Sequence, residues 1–174
     1  MARTPSNMLP LETEAPDFTL LDTVTNQKLS LDNIKGTKGT VVMFICNHCP
    51  FVIHVNSELV AIANEYKSKG INFIAISSND VENYPQDGPE KMKAHAKTEG
   101  YPFPYLYDET QDVAKAYDAA CTPDFYLFNT DLNLVYRGQL DDSRPGNDKP
   151  LTGKDLKYAI NCLIEGKKNT ELQK

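Results

Sequence analysis

Nowhere in the 174 residues does an apolar run approach the length of a membrane-spanning helix. The opening stretch MARTPSNMLP lacks the apolar segment of a secretory signal, so the expectation is a cytoplasmic protein with no membrane partner. Basic residues are outnumbered: 18 Lys and Arg against 24 Asp and Glu leave a formal net charge of −6, and the lysines form no stripe, which argues against a nucleic-acid partner. Internal repeats, low-complexity tracts and Gly-rich phosphate loops are all missing, and no cofactor is expected. Cysteine is scarce, with four residues. In the cytosol disulfides are usually transient and catalytic, so what matters is where those four fall.

The 40% hydrophobic content and the length fit one globular domain with a real core. Prolines at 5, 10 and 16 break any pattern near the start, giving an irregular segment over residues 1–14, a domain over 15–166 and a frayed tail over 167–174.

The most informative stretch is Val41–His54, VVMFICNHCPFVIH. Val41–Ile45 is an uninterrupted apolar run with β-branched residues, which predicts a central strand buried on both faces. Phe51, Val52, Val55, Leu59, Ile62, Ala63 and Tyr66 then recur at intervals of three and four, predicting a helix to about Ser68, ended by Gly70. Pro50 suits the first helical position, where its missing N–H has no intrahelical partner to lose, and that puts Cys49 near the N-cap. Unpaired N–H groups and the positive end of the helix dipole favour thiolate over thiol there, and a protonated His48 adds to the effect. Cys46, three residues upstream, is close enough to exchange a disulfide with Cys49. A single C-x-x-C is also half of a zinc site, so the residues alone leave both chemistries open.

Elsewhere, Asp17–Leu21 and Lys28–Leu31 read as a β-hairpin around Thr25-Asn26-Gln27, and Asp32–Lys38 as a polar link. Ile71–Ser77 is a second buried strand, parallel to the first through a right-handed crossover. The loop Ser78–Gly88 follows at the sheet edge that carries the cysteines, where loops line sites or merely connect. Pro89–Thr98 is a polar helix with His95 exposed, Pro102–Tyr107 a short edge strand, and Asp112–Ala119 a short helix with Val113, Ala116 and Tyr117 inward. Phe125–Phe128 and Leu132–Arg137 form an antiparallel hairpin, preceded by Cys121, Thr122 and Pro123. On base rates the Thr122–Pro123 bond is trans. After a loop over Asp141–Thr152, Gly153–Gly166 closes with a helix burying Leu156, Ala159, Ile160 and Leu163, with Cys162 beside that stripe in a structural role.

Taken together, the hairpin, the C-x-x-C at a strand-to-helix junction, an inserted β-α unit and the Thr-Pro before a hairpin resemble the α/β thioredoxin-like fold, a mixed central sheet flanked by helices with an N-terminal β-hairpin extension. Ala15-Pro16-Asp17-Phe18, Cys46-Asn47-His48-Cys49-Pro50 and Cys121-Thr122-Pro123-Asp124-Phe125 more narrowly resemble the peroxiredoxin-like redoxins near the AhpC/TSA family. The resemblance implies that Pro123 is a cis-proline facing the C-x-x-C, that Thr122 offers backbone groups to an extended substrate, and that Cys121 lies near Cys46 and Cys49 as a third redox thiol.

Two departures separate this chain from peroxiredoxins. Cys46 stands where they carry a Thr or Ser, and Thr122-Pro123 where they carry an Arg. Arg137 or Arg144 is a substitute for that Arg only if it is not the surface residue its type suggests. The leading expectation is therefore a thiol-disulfide oxidoreductase acting on a protein or small-molecule disulfide, with Cys46 and Cys49 in either order as nucleophile and resolver. A thiol reductant restores the pair. The alternative is a thiol-dependent peroxidase acting on a hydroperoxide, with Cys49 peroxidatic and Cys46 or Cys121 resolving. A third reading is a metal-binding module using Cys46, Cys49 and Cys121 with His48 or His54.

Overall fold

The structure, a computed structural model, describes residues 11–78, 82, 84–119 and 122–167. Strands β1 (Thr19–Asp22) and β2 (Gln27–Ser30) form the N-terminal hairpin, turning through Asn26 at φ 63°. A one-turn helix, α1 (Leu31–Ile34), occupies the stretch expected as a polar link, because Ser30 and Asn33 cap it reciprocally. Next come β3 (Gly39–Phe44), α2 (Pro50–Lys67) and β4 (Ile71–Ser77), the expected β-α-β unit, with β3 and β4 parallel. A 3-10 turn (Pro85–Asp87) leads into α3 (Pro89–Glu99), which Gly100 ends at φ 68°. The inserted unit β5 (Tyr105–Tyr107) and α4 (Asp112–Ala116) precedes the hairpin β6 (Asp124–Phe128) and β7 (Leu134–Gly138), and α5 (Lys154–Glu165) closes the domain.

The seven strands make one mixed sheet in the order β2-β1-β5-β4-β3-β6-β7. β3 sits between parallel β4 and antiparallel β6, and all six of its residues are buried. Alternation along it divides the core. Val41 and Met43 face α2 and α5, packing with Val52, Leu59, Ile62, Leu156 and Ile160. Val42 and Phe44 face the opposite side, where Phe18, Tyr117, Tyr126 and Phe128 form an aromatic cluster. At the start of α5, Gly153 adopts φ +68°, and a Cβ there would stand 2.4 Å from Ile62 Cδ1, so this junction of α5 with α2 requires glycine.

Several expectations need correcting. β5 is not an edge strand: β1 pairs antiparallel to it and β4 parallel, because the N-terminal hairpin extends the sheet past it. Residues 11–15 are irregular, and backbone bonds from Glu12 N–H to Leu134 O and from Ala15 N–H to Leu132 O tie them to the turn and start of β7. On α4 it is Val113 and Ala114 that are half-buried, while Ala116 is exposed; the helix lies one position round from the expected face. Leu163 of α5 is half-buried and Cys162 buried. The second strand of the final hairpin begins at Leu134, because Leu132, at φ 61°, belongs to the turn. Neither arginine is a surface residue. Arg137 is fully buried: its Nη2 donates to Asp124 Oδ2 and to Asp118 O, both at 2.7 Å, and its guanidinium lies 4.5 Å from the Tyr126 ring centre. Arg144 is half-buried and donates to the carbonyls of Asp141 and Ser143 and to Gln139 Oε1. Among the described residues no helix is long and apolar enough to cross a membrane.

With both partners inaccessible, removing one leaves a buried charge without its main counter-ion. Arg137→Ala is expected to lower unfolding stability in urea by about 3–5 kcal/mol, whereas the double change Arg137→Met with Asp124→Leu recovers most of it.

Candidate functional site

β3 delivers the chain to the carboxyl edge of the sheet, where Ile45 N–H still bonds Ile76 O and Cys46 follows at once. Cys49 is the N-cap residue of α2, in extended conformation, with Pro50 beginning the first turn. Both sulfurs belong to residues that are fully buried. Opposite them the Thr122–Pro123 bond is cis, as the family resemblance implied and against the base rate. The Cys46 sulfur lies 3.8 Å from Thr122 Oγ1, and the Cys49 S–H, when present, donates to Thr122 O at 3.5 Å.

The two thiols are electrostatically unequal. Donation from the Cys46 thiol, joined by bonds from Thr122 and from the Val52 and Phe51 backbone N–H groups, outweighs burial and pulls Cys49 down to about 5. The same hydrogen bond holds the proton on Cys46, whose pKa is raised further by burial and by the negative charge of Asp87. This coupling favours the thiolate on Cys49 and the proton on Cys46.

Asp87, at the end of the 3-10 turn, is the site residue that sequence reasoning missed. Its carboxylate is inaccessible and binds both residues between the cysteines. Oδ1 accepts from the Asn47 N–H at 2.8 Å, and Oδ2 lies 2.5 Å from His48 Nδ1. That second contact lacks hydrogen-bond alignment, so the ring nitrogen's bonding direction is not aimed at the oxygen. Asn47 Nδ2 donates to Gln86 O at 2.7 Å, Tyr105 OH donates to Asn47 Oδ1 at 2.9 Å, and the His48 ring stacks on Tyr84 at 4.8 Å. The loop after β4 is thus fastened to the C-x-x-C turn. The only available signal was its placement at that edge; nothing in the spacing distinguishes Asp87 from the loop's other acidic residues.

Cys46, His48, Cys49, Thr122 and Pro123 are therefore brought together, while Cys121 lies outside the described residues. The other histidines are engaged elsewhere. His54 bonds Ser143 Oγ at 2.7 Å. His95 is half-buried rather than exposed, 3.1 Å from Tyr101 OH and 3.4 Å from Asn56 Nδ2, and burial lowers its pKa.

Solved structures place this fold in a class. A thioredoxin domain of a thiol-disulfide oxidoreductase from Bacteroides vulgatus superposes with a TM-score of 0.66 at 21% identity, over 87% of this chain and 99% of that one, so the fold is thioredoxin-like. The AhpC/TSA family model matches residues 11–137, and the chain belongs to that family. It is similar over its whole length to an uncharacterized conserved protein from Geobacillus kaustophilus, with 57% identity, TM-score 0.98 and 92% of that chain covered. A hypothetical protein from Sinorhizobium meliloti is 43% identical, with TM-score 0.95, over 98% of this chain and 93% of that one. No curated protein matches.

Alkylation of the reduced protein should follow this inequality. Cys49 is expected to react with iodoacetamide with a midpoint near pH 5, its rate falling below that pH as the thiolate gains its proton, while Cys46 stays inert at neutral pH. In Cys46→Ala the lost donor moves the Cys49 midpoint upward, as peptide mapping at stepped pH would show.

Proposed function

We propose that this protein is a thiol-disulfide oxidoreductase with Cys49 as nucleophile and Cys46 as resolving cysteine. The observation that carries the reading is the pairing of a lowered-pKa Cys49 at a helix N-terminus with a hydrogen-bonded Cys46 thiol, both facing the cis-proline loop. Extended substrates gain backbone hydrogen bonds at such a loop, and in this reading Thr122 supplies them.

The Cys49 thiolate attacks one sulfur of a substrate disulfide. A Cys49–substrate mixed disulfide forms, the substrate S–S bond breaks, and one substrate thiolate departs. Once Cys49 is no longer anionic, Cys46 loses the partner that held its proton, and the proton passes to the substrate thiolate that has departed. The Cys46 thiolate then attacks the Cys49 sulfur, expelling the second substrate thiolate and leaving a Cys46–Cys49 disulfide. Two electrons have passed to the substrate, and an external thiol reductant returns them.

Membership of the AhpC/TSA family favours a second reading, in which the Cys49 thiolate cleaves a hydroperoxide O–O bond to give a sulfenic acid and an alcohol or water. Cys46 then condenses with it, releasing water. The arginines weigh against this reading: Arg137 is engaged by Asp124 and Asp118, and Arg144 by Asp141, Ser143 and Gln139.

Rapid mixing of the reduced protein with a disulfide or with a hydroperoxide, followed by mass spectrometry, separates the two readings. Fast formation of Cys46–Cys49 with the disulfide alone is expected. Cys49→Ser should abolish it, and Cys46→Ser should accumulate the mixed disulfide. Preferential oxidation by hydroperoxide would transfer the assignment to the peroxidase, and inertness toward both would remove both.

A further inference from the structure

The disulfide chemistry uses two sulfurs and leaves unexplained why a buried carboxylate and an imidazole stand beside them. The Cys46 sulfur, a His48 ring nitrogen and an Asp87 carboxylate oxygen all lie within 4.8 Å of one another. Cys49, whose sulfur meets the same cis-proline loop at Thr122 O, stands outside that cluster and joins it as a fourth donor by moving toward it. Two thiolates, an imidazole nitrogen and a carboxylate oxygen form a donor set that suits tetrahedral Zn²⁺, whose bonds are about 2.3 Å to sulfur and about 2.0–2.2 Å to nitrogen or oxygen. A tetrahedron of such bonds sets neighbouring donors roughly 3.3–3.8 Å apart, so His48 Nδ1 and Asp87 Oδ2, now 2.5 Å apart, open and the wider separations within the cluster close, each by on the order of 1 Å.

Two further observations point to a cation rather than a self-contained hydrogen-bond network. His48 Nδ1 is buried and lies beside Asp87 Oδ2 without hydrogen-bond alignment, leaving both donors side by side. Asp87 is held independently of any metal by the Asn47 backbone N–H, the arrangement that orients a ligating carboxylate from behind.

We propose that the reduced protein binds one Zn²⁺ through Cys46, Cys49, His48 and Asp87, and that forming the Cys46–Cys49 disulfide expels it. Both sulfurs must be thiolates to hold the metal, so uptake releases the Cys46 proton. Oxidation by a disulfide joins the sulfurs, passes two electrons to the oxidant as two thiolates, and frees the zinc. The metal and the disulfide thus compete for the same sulfur lone pairs. The turn after β4 makes the site more than a bare C-x-x-C.

The test is titration of the metal-free, reduced full-length chain with Zn²⁺ against a chromophoric chelator, alongside Co²⁺ loading followed by absorption. One equivalent of Zn²⁺ and a thiolate-to-cobalt charge-transfer band with tetrahedral d–d bands are expected, both lost on oxidation. His48→Gln and Asp87→Asn, checked for folding by circular dichroism, should each weaken zinc binding at least about tenfold. Absence of binding to the reduced wild type overturns the proposal. So does undiminished affinity in both variants, which would assign the metal to the sulfurs alone. Disulfide exchange assayed separately on the metal-free chain keeps the two questions apart: loss of exchange with zinc binding intact would remove the oxidoreductase reading and leave this one standing.

Discussion

The electrostatic coupling of the buried Cys46 and Cys49 thiols at the amino end of α2 is the interaction on which the rest of the site depends. It favours the anion on Cys49 and the proton on Cys46, at a place where both residues are inaccessible to water. Low local dielectric strengthens such a coupling and makes an unpaired thiolate costly, so the helix N–H groups and the second thiol are jointly required. That geometry in turn depends on β3. A strand covered on both faces holds Cys46 at the sheet edge, and the turn to Pro50 places Cys49 at the helix cap.

Two loops from distant parts of the chain complete the arrangement. The cis Thr122–Pro123 segment approaches from the start of β6, whose pairing with β3 sets Asp124 against Phe44. The turn at Asp87 approaches from the end of β4, whose parallel pairing with β3 sets Ile76 against Phe44. Both loops therefore emerge beside the C-x-x-C because β3 has these strands as its two neighbours. The buried Arg137–Asp124 pair lies at the base of the cis-proline loop and joins β6 to β7 and to the Asp118 carbonyl, fixing where that loop leaves the sheet.

Much of this was legible in the residue pattern where the signal is local. The strand limits Ile71–Ser77, the cap position of Cys49 and the stripe of α2 depend on burial, propensity and terminal hydrogen bonding within a few residues. The errors arose where the deciding contact is remote. β5 reads as an edge because its prolines are visible, whereas the hairpin that covers it is some eighty residues away. Arg137 reads as exposed by type, and only its pairing partner Asp124 across the β6–β7 hairpin explains its burial.

What the sequence determined by itself was a thiol pair at a strand-to-helix junction inside an α/β domain, because apolar period, proline position and cysteine spacing are properties of a short segment. The tertiary structure alone decided that Asp87 belongs to the site and that His48 turns toward it. Those outcomes depend on which groups meet in a water-excluded space. Sheet order, not spacing along the chain, brings them together there.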